Sequence, residues 1–315
     1  MNPLDRRIVV VTGKGGVGKT TVTALLGLIG AASGKRTLII ETAGANSVPA
    51  LFGQPAAGYE PMELRPNLYT MSVTGPEALE DYVVQQIKVR RLFQLVFQNR
   101  VMTAFLDAVP GLSDVLTLGK VFDLYRSTDN GAPAWDLLLV DAPATGHGLT
   151  LLSSPASMME LTRKGAFYEG ARLVHEVLDD PERAAIVLVS LPEDMPVNET
   201  LDLWRRLGAS RALVRLTVLN EVFPALFPNR EDWPLARAAL EGSADPAVRE
   251  ATALTEQWEL RLRRQDSERL RLEQGLGVPV VSLPFLFHRE LTGQDLASLS
   301  RTLGLALDGL GRRAG

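Results

Sequence analysis

A short β-branched run, Ile8-Val9-Val10-Val11-Thr12, leads directly into Gly13-Lys14-Gly15-Gly16-Val17-Gly18-Lys19-Thr20, and an apolar helical pattern follows from Thr20. No other stretch restricts the fold so strongly. In the spacing G-x-x-x-x-G-K-[ST], between a buried strand and a helix, glycines let the backbone wrap an anion with its N–H groups turned inward. The helix N-terminus adds partial positive charge. On this pattern Lys19 reaches the β- and γ-phosphates of a nucleotide and the Thr20 hydroxyl ligates Mg²⁺. Thr21, one step into the helix, is placed for the α-phosphate. Such a loop needs a strand before it and a helix after it, so the architecture must be α/β.

The remainder of the chain agrees with that requirement. Strands are predicted at Arg7–Thr12, Arg36–Glu41, Leu68–Val73, Leu137–Asp141, Ala185–Ser190, Leu213–Asn220 and Val278–Leu283. Most are continuous apolar runs, as parallel strands covered on both faces require. Helical connections are predicted from Thr20 to Ser33, Ser157 to Leu178, Asn198 to Leu207, Pro246 to Leu276 and Gly293 to Leu310. The fold class read from this is α/β, a P-loop NTPase with a mostly parallel, doubly wound sheet. The segment between the third and fourth strands lacks a strand signal and is helical over 76–97 and 111–126. It reads as a helical insertion at about 76–135, joined by 157–180, on a single ATPase domain spanning 1–315.

The chain is 46% apolar, enough for a sizeable core, with a formal charge of −4 that argues against nucleic acid as a partner. The stretch 24–32 is far short of the ~18 apolar residues a membrane span needs, so no integral membrane segment is expected. The basic tract 257–274 is interleaved with acids and reads as a solvated helix face. There is no cysteine, which removes disulfides, thiolate metal sites and cysteine nucleophiles; a cytoplasmic location fits. His147, His175 and His288 have no metal-ligand spacing.

The chain has only six lysines, and Lys14 and Lys19 both fall in the loop. Gly13-Lys14-Gly15-Gly16-Val17-Gly18-Lys19-Thr20 resembles the deviant phosphate-binding loop of the MinD, ParA, nitrogenase-iron-protein and ArsA group of ATPases. In that group the early lysine crosses a dimer interface to the phosphates of the other subunit. The resemblance therefore implies that Lys14 acts in catalysis much as an arginine finger does, in a face-to-face dimer with ATP between subunits.

A second segment narrows the resemblance. The strand at 137–141 ends in Asp141, where a carboxylate can accept hydrogen bonds from water on Mg²⁺. With Pro143, Thr145, Gly146 and His147 it resembles the switch II loop of ArsA and of the tail-anchored-protein-targeting ATPases, the proline one place early. The segment 188–207 is similar to a strand and capped helix of bacterial ArsA-like proteins, with Asn198, Glu199 and Thr200 readable as helix-start residues. Asn220 stands where this group reads the adenine ring, and Pro284 and Phe285 where it covers the base. A turn asparagine and a core phenylalanine are the plainer readings of Asn220 and Phe285.

Departures from the family pattern are equally informative. After the second strand the targeting ATPases carry an aspartate that positions the attacking water; here "ETAGANS" puts Ala43 in its place. A methyl group cannot orient or deprotonate water. Glu41, two residues earlier on the same side of the strand, is the candidate substitute, with a strand-end glutamate of no catalytic task as the alternative. The metalloid-binding cysteines and the zinc-binding Cys-x-x-Cys of the family are absent. The expected activity is ATP hydrolysis by a homodimer, or by a heterodimer with an ArsA-like paralogue, acting on a protein client through the helical insertion. A hydrolysis-deficient subunit that pairs with an active paralogue is the alternative, and a ParA-like positioning ATPase a third.

Overall fold

The computed structural model describes residues 2–42, 46–87, 111–143, 145–227, 229 and 232–313. Ten strands lie among them: β1 Ile8–Gly13, β2 Thr37–Glu41, β3 Met62–Arg65, β4 Leu68–Ser72, β5 Thr128–Asp129, β6 Ala132–Pro133, β7 Leu137–Asp141, β8 Ala184–Ser190, β9 Val214–Val222 and β10 Val280–Pro284. The helices are α1 Lys19–Ala32, α2 Ser47–Leu51, α3 Gly75–Ile87, α4 Leu112–Arg126, α5 Thr145–Thr162, α6 Ala166–Leu178, α7 Asp194–Arg206, α8 Asp232–Leu240, α9 Pro246–Leu276 and α10 Gly293–Arg313.

Eight strands form one sheet in the order β10-β9-β8-β1-β7-β2-β4-β3, and β5 and β6 make a separate small hairpin. Every pairing in the large sheet is parallel except β3 with β4. Strand alternation sorts the side chains into two buried layers. Ile8, Val10, Leu138 and Val140 face the layer formed with α3 to α7 and the end of α9. Val9, Val11, Leu137 and Leu139 face α1, α2 and α10. Helices on both faces explain why the strands read as unbroken apolar runs.

All seven predicted strands are present. The edge strand β3 escaped prediction because Met-Glu-Leu-Arg buries only Leu64. The predicted 157–178 helix is two helices: α5 begins at Thr145, and the chain breaks at Arg163 and Gly165, both with positive φ (54° and 96°). The predicted Asn198 start is also corrected, because α7 begins four residues earlier at Asp194. Pro196 is accommodated in its first turn, where backbone N–H groups have no helical partner anyway. Within 74–136, α3 and α4 confirm helical structure, while residues 88–97 of the first predicted helix lie outside the described residues.

The central strand β1 has β7 on one side and β8 on the other. Its C-terminal end is therefore the topological switch point, where an open α/β sheet leaves a crevice for a ligand.

Candidate functional site

Gly13 to Thr20 occupies this switch point. A side chain at Gly13 would meet the Val189 carbonyl oxygen of β8 at 2.2 Å, so only glycine lets the loop leave β1 this close to its neighbour. Gly18 caps α1 at φ 87°, and a Cβ there would also sit 2.3 Å from Asn220 Nδ2. Val17 is buried and anchors the loop, while Gly15 and Gly16 are exposed at its crest. Asn220, buried at the end of β9, donates from Nδ2 to the Val17 carbonyl at 3.1 Å. In this structure the residue expected at the adenine ring is a prop beneath the phosphate loop.

Lys19 and Thr20 open α1, and Thr21 follows in its first turn. The Lys19 ammonium donates to the Lys14 carbonyl at 2.9 Å, folding back over the loop. Thr20 Oγ1 donates to Asp141 Oδ2 at 2.7 Å. Thr23, one helical turn on, donates to Asp141 Oδ1 at 3.3 Å and to the Lys19 carbonyl at 2.9 Å. Sequence reasoning overlooked Thr23, although its i+3 spacing from Thr20 puts it on the same helix face. Burial pulls the Lys19 ammonium below its ordinary value, partly countered by Asp141. Burial lifts the Asp141 carboxyl, countered by Thr20, Lys19 and Thr23. Both charges are dehydrated more than they compensate each other.

Glu41 is paired in register with Asp141 across β2 and β7. Its Oε1 accepts from the Ser47 and Val48 amides at 2.7 and 3.1 Å, at the start of α2. Its Oε2 is buried with no hydrogen-bond partner among the described residues. Burial raises the Glu41 carboxyl above the ordinary range, the two amides oppose this, and Asp141 adds to it. Ala43 lies outside the described residues.

Lys14 is half-buried, and its Nζ makes an ion pair at 2.8 Å with Glu199 Oε1 of α7. Glu199, read from sequence as a helix-start residue, is thus a partner of the phosphate loop. Pro143 follows β7, and Thr145, Gly146 and His147 form the first turn of α5, not a loop. Gly148 approaches Thr12 so closely that a Cβ would sit 2.4 Å from its hydroxyl. Pro284 is exposed at the end of β10. Phe285 stacks on Phe223, with centroids 4.6 Å apart and planes 9° apart, and meets Phe287 edge-on at 5.0 Å. One face of the ring expected over a base is therefore already covered.

Thr20, Asp141 and Glu41 are all oxygen donors, which suits a hard dication such as Mg²⁺. No group of three or more His, Cys, Asp or Glu side chains arranged for a metal occurs among the described residues. Thr20 and Asp141, joined at 2.7 Å, would leave the other positions of such a cation to phosphate and water, the ordinary situation for Mg²⁺.

Residues 6–166 match the model of the anion-transporting ATPase family. The chain is 29% identical over 262 residues to the ATPase BagA of Mycobacterium tuberculosis, covering 79% of this chain and 74% of that protein. It is 32% identical over 163 residues to the ATPase ASNA1 homolog of Entamoeba dispar, covering 50% of this chain and 48% of that protein.

Proposed function

We propose, from the premise that the chain belongs to the anion-transporting ATPase family, that it binds ATP with Mg²⁺ and hydrolyses it as a dimer switched by the nucleotide. The observation that carries the reading is the convergence of Lys19, Thr20 and Asp141 at the switch point, with Thr20 and Asp141 joined at 2.7 Å. Two dehydrated and imperfectly compensated charges favour a matching ligand: phosphate oxygens relieve Lys19, and a dication relieves Asp141. Thr20 and Asp141 would hold Mg²⁺, the latter through water. When bound, the ion supplies charge neutralisation on the β- and γ-phosphates. Lys19 holds those phosphates and the loop amides wrap them, while Thr21 lies one residue further for the α-phosphate.

Lys14 supplies the dimer part of the reading. To reach a neighbouring subunit's phosphates it must leave Glu199. The pair is partly solvated, so releasing it costs at most about 1 kcal/mol, less than a charge-assisted bond to phosphate returns. Measuring particle mass with and without a non-hydrolysable ATP analogue, together with phosphate release, tests both parts. The expected result is an ATP-dependent dimer in the parent chain and a persistent monomer for Lys14→Ala. An unchanged mass would remove the dimer reading while leaving ATP binding to stand or fall separately.

A second reading has its own support. Ala43 has no carboxylate with which to position water, and Glu41 spends one oxygen on the start of α2. On this reading the chain is a nucleotide-holding subunit that hydrolyses slowly and pairs with an active paralogue. Single-turnover hydrolysis at a Lys19→Ala background rate, despite tight ATP binding, would favour it. Protein-client binding through the layer of α3 to α6 is proposed from the family resemblance alone.

A further inference from the structure

The last turn of α1, the end of α2 and the start of α10 border an open cavity of about 550 Å³, within the ~300–1,000 Å³ typical of small-molecule sites. Its apolar walls come from Leu28 of α1, Leu51 and Phe52 at the end of α2, and Leu291 and Leu296 at the start of α10. All of them belong to, or pack against, the buried layer on this side of the sheet. Except for Leu296 they are only half-buried, so apolar surface is left open to the cavity.

A single charged residue, Arg65, lines this space among the described residues, and the backbone is bent to aim it there. Along β3, Glu63 pairs with Tyr69 and Arg65 with Leu68, so the intervening Leu64 is an extra residue, a β-bulge. Regular alternation would send Leu64 and Arg65 to opposite faces of the sheet. Instead Leu64 is buried in the α1–α2–α10 layer, and Arg65 lines the cavity on that same side. Bulges re-aim side chains in this way and are enriched beside functional sites. A bulge and a charge also protect a sheet edge from pairing with another chain, but that task needs no apolar cavity under the charge.

The Arg65 charge has no local compensation. No carboxylate lines the cavity among the described residues, and Arg65 makes no ion pair with any of them. Its guanidinium donates to the Leu64 carbonyl at a long 3.4 Å and lies 5.9 Å from the Phe52 centroid, near the limit of a cation–π contact. Asp295, between the lining residues Gly293 and Leu296, is held by Thr292 and His288 instead. A guanidinium presents its N–H groups as a rigid fork that matches a carboxylate. We propose that this cavity binds a small amphipathic monoanion, a carboxylate on an apolar or aromatic body. The body covers Leu28, Phe52 and Leu296, and the carboxylate meets Arg65 at the rim. The site stands at the far end of α1 from Lys19 and does not depend on the nucleotide reading.

The test titrates the full chain with 1-pyrenebutyrate and with neutral 1-pyrenebutanol, which share one apolar body, following pyrene fluorescence with and without saturating Mg-ATP. The carboxylate is expected to bind about tenfold more tightly than the alcohol, as a charge-assisted pair requires, and to stay bound when Mg-ATP is added. Arg65→Gln should abolish that preference at an unchanged melting temperature, and Arg65→Lys should keep part of it. Ala32→Phe and Ala50→Phe, at exposed positions lining the cavity, should each lower the affinity for both probes by about tenfold. Equal binding of the two probes, binding of neither, or displacement by Mg-ATP would overturn the proposal. So would an undiminished preference in Arg65→Gln, or unchanged affinity in both phenylalanine variants.

Discussion

Glycine is used in opposite ways at the two ends of this molecule. At the phosphate loop, Gly13, Gly18 and Gly148 are hemmed in, and an added Cβ would lie 2.2 to 2.4 Å from another atom. In the α3–α4–α6 layer, Gly119 and Gly170 have regular helical neighbours and open space in front of them. In the first set Gly13 lets backbone meet backbone, while Gly18 and Gly148 let it approach the Asn220 amide and the Thr12 hydroxyl. The second set leaves open space beside its helices at a cost to their own stability. Substitutions should therefore act with opposite sign in the two regions: enlarging a loop glycine destroys a site, while a minimal addition in the helical layer strengthens the fold.

The sharpest way to break this contrast is at the loop's own charge. Lys19→Ala should lower ATP turnover by about a hundredfold or more in a phosphate-release assay, because phosphate charge then develops without its ammonium. Asp141→Asn should weaken the Mg²⁺ dependence of ATP binding by about 10- to 100-fold, read from ATP titrations at graded Mg²⁺. Gly18→Ala should destabilise the folded loop by about 1–2 kcal/mol in chemical denaturation, since alanine must take φ 87° and displace Asn220. If Gly18→Ala were harmless, the crowding described for the loop would be wrong.

On the other side, Gly119→Ala should raise stability by about 0.5–1 kcal/mol, read as a higher denaturation midpoint. The smallest effect expected is a change of pH slope at Glu41. Its folded-state carboxyl is raised above the unfolded value. The folded protein therefore holds the proton more tightly, and this contribution to stability is present at low pH and lost as pH rises through the folded value. Glu41→Gln should remove that loss, so denaturation midpoints compared at pH 5 and pH 8 should fall less in the variant than in the parent.

What could be read from sequence follows the same division. Strands buried on both faces announce themselves, because every residue from Ile8 to Val11 or Leu137 to Val140 must be apolar. The half-buried edge strand β3 carries no such signal. The loop was legible because its glycine spacing and its place between β1 and α1 all lie within one short stretch of sequence. The Lys14–Glu199 pair and the Asn220 prop were not, since both join segments roughly two hundred residues apart. The start of α7 was placed late because Asn198, Glu199 and Thr200 read as helix-start residues, whereas the helix opens at Asp194 with Pro196 in its first turn. Gly119 and Gly170 are ordinary weak points of a helical pattern in sequence; only tertiary neighbours show that they border a void.

Arg271, near the C-terminal end of α9, reaches both Asp194 and Asn198 in the first turns of α7, next to the Glu199 that holds Lys14. Twenty-five residues separate Arg271 from Pro246 at the opposite end of that helix, about 37 Å at 1.5 Å per residue. The arrangement has the proportions of a lever with its fulcrum beside the phosphate loop. A tilt of only ~10° at Arg271 would carry the distant tip through about 6 Å, by the same helical rise. Trp258 and Gln265 tie the same helix to Pro224 and Phe223 beyond β9, so any such tilt would carry those contacts with it.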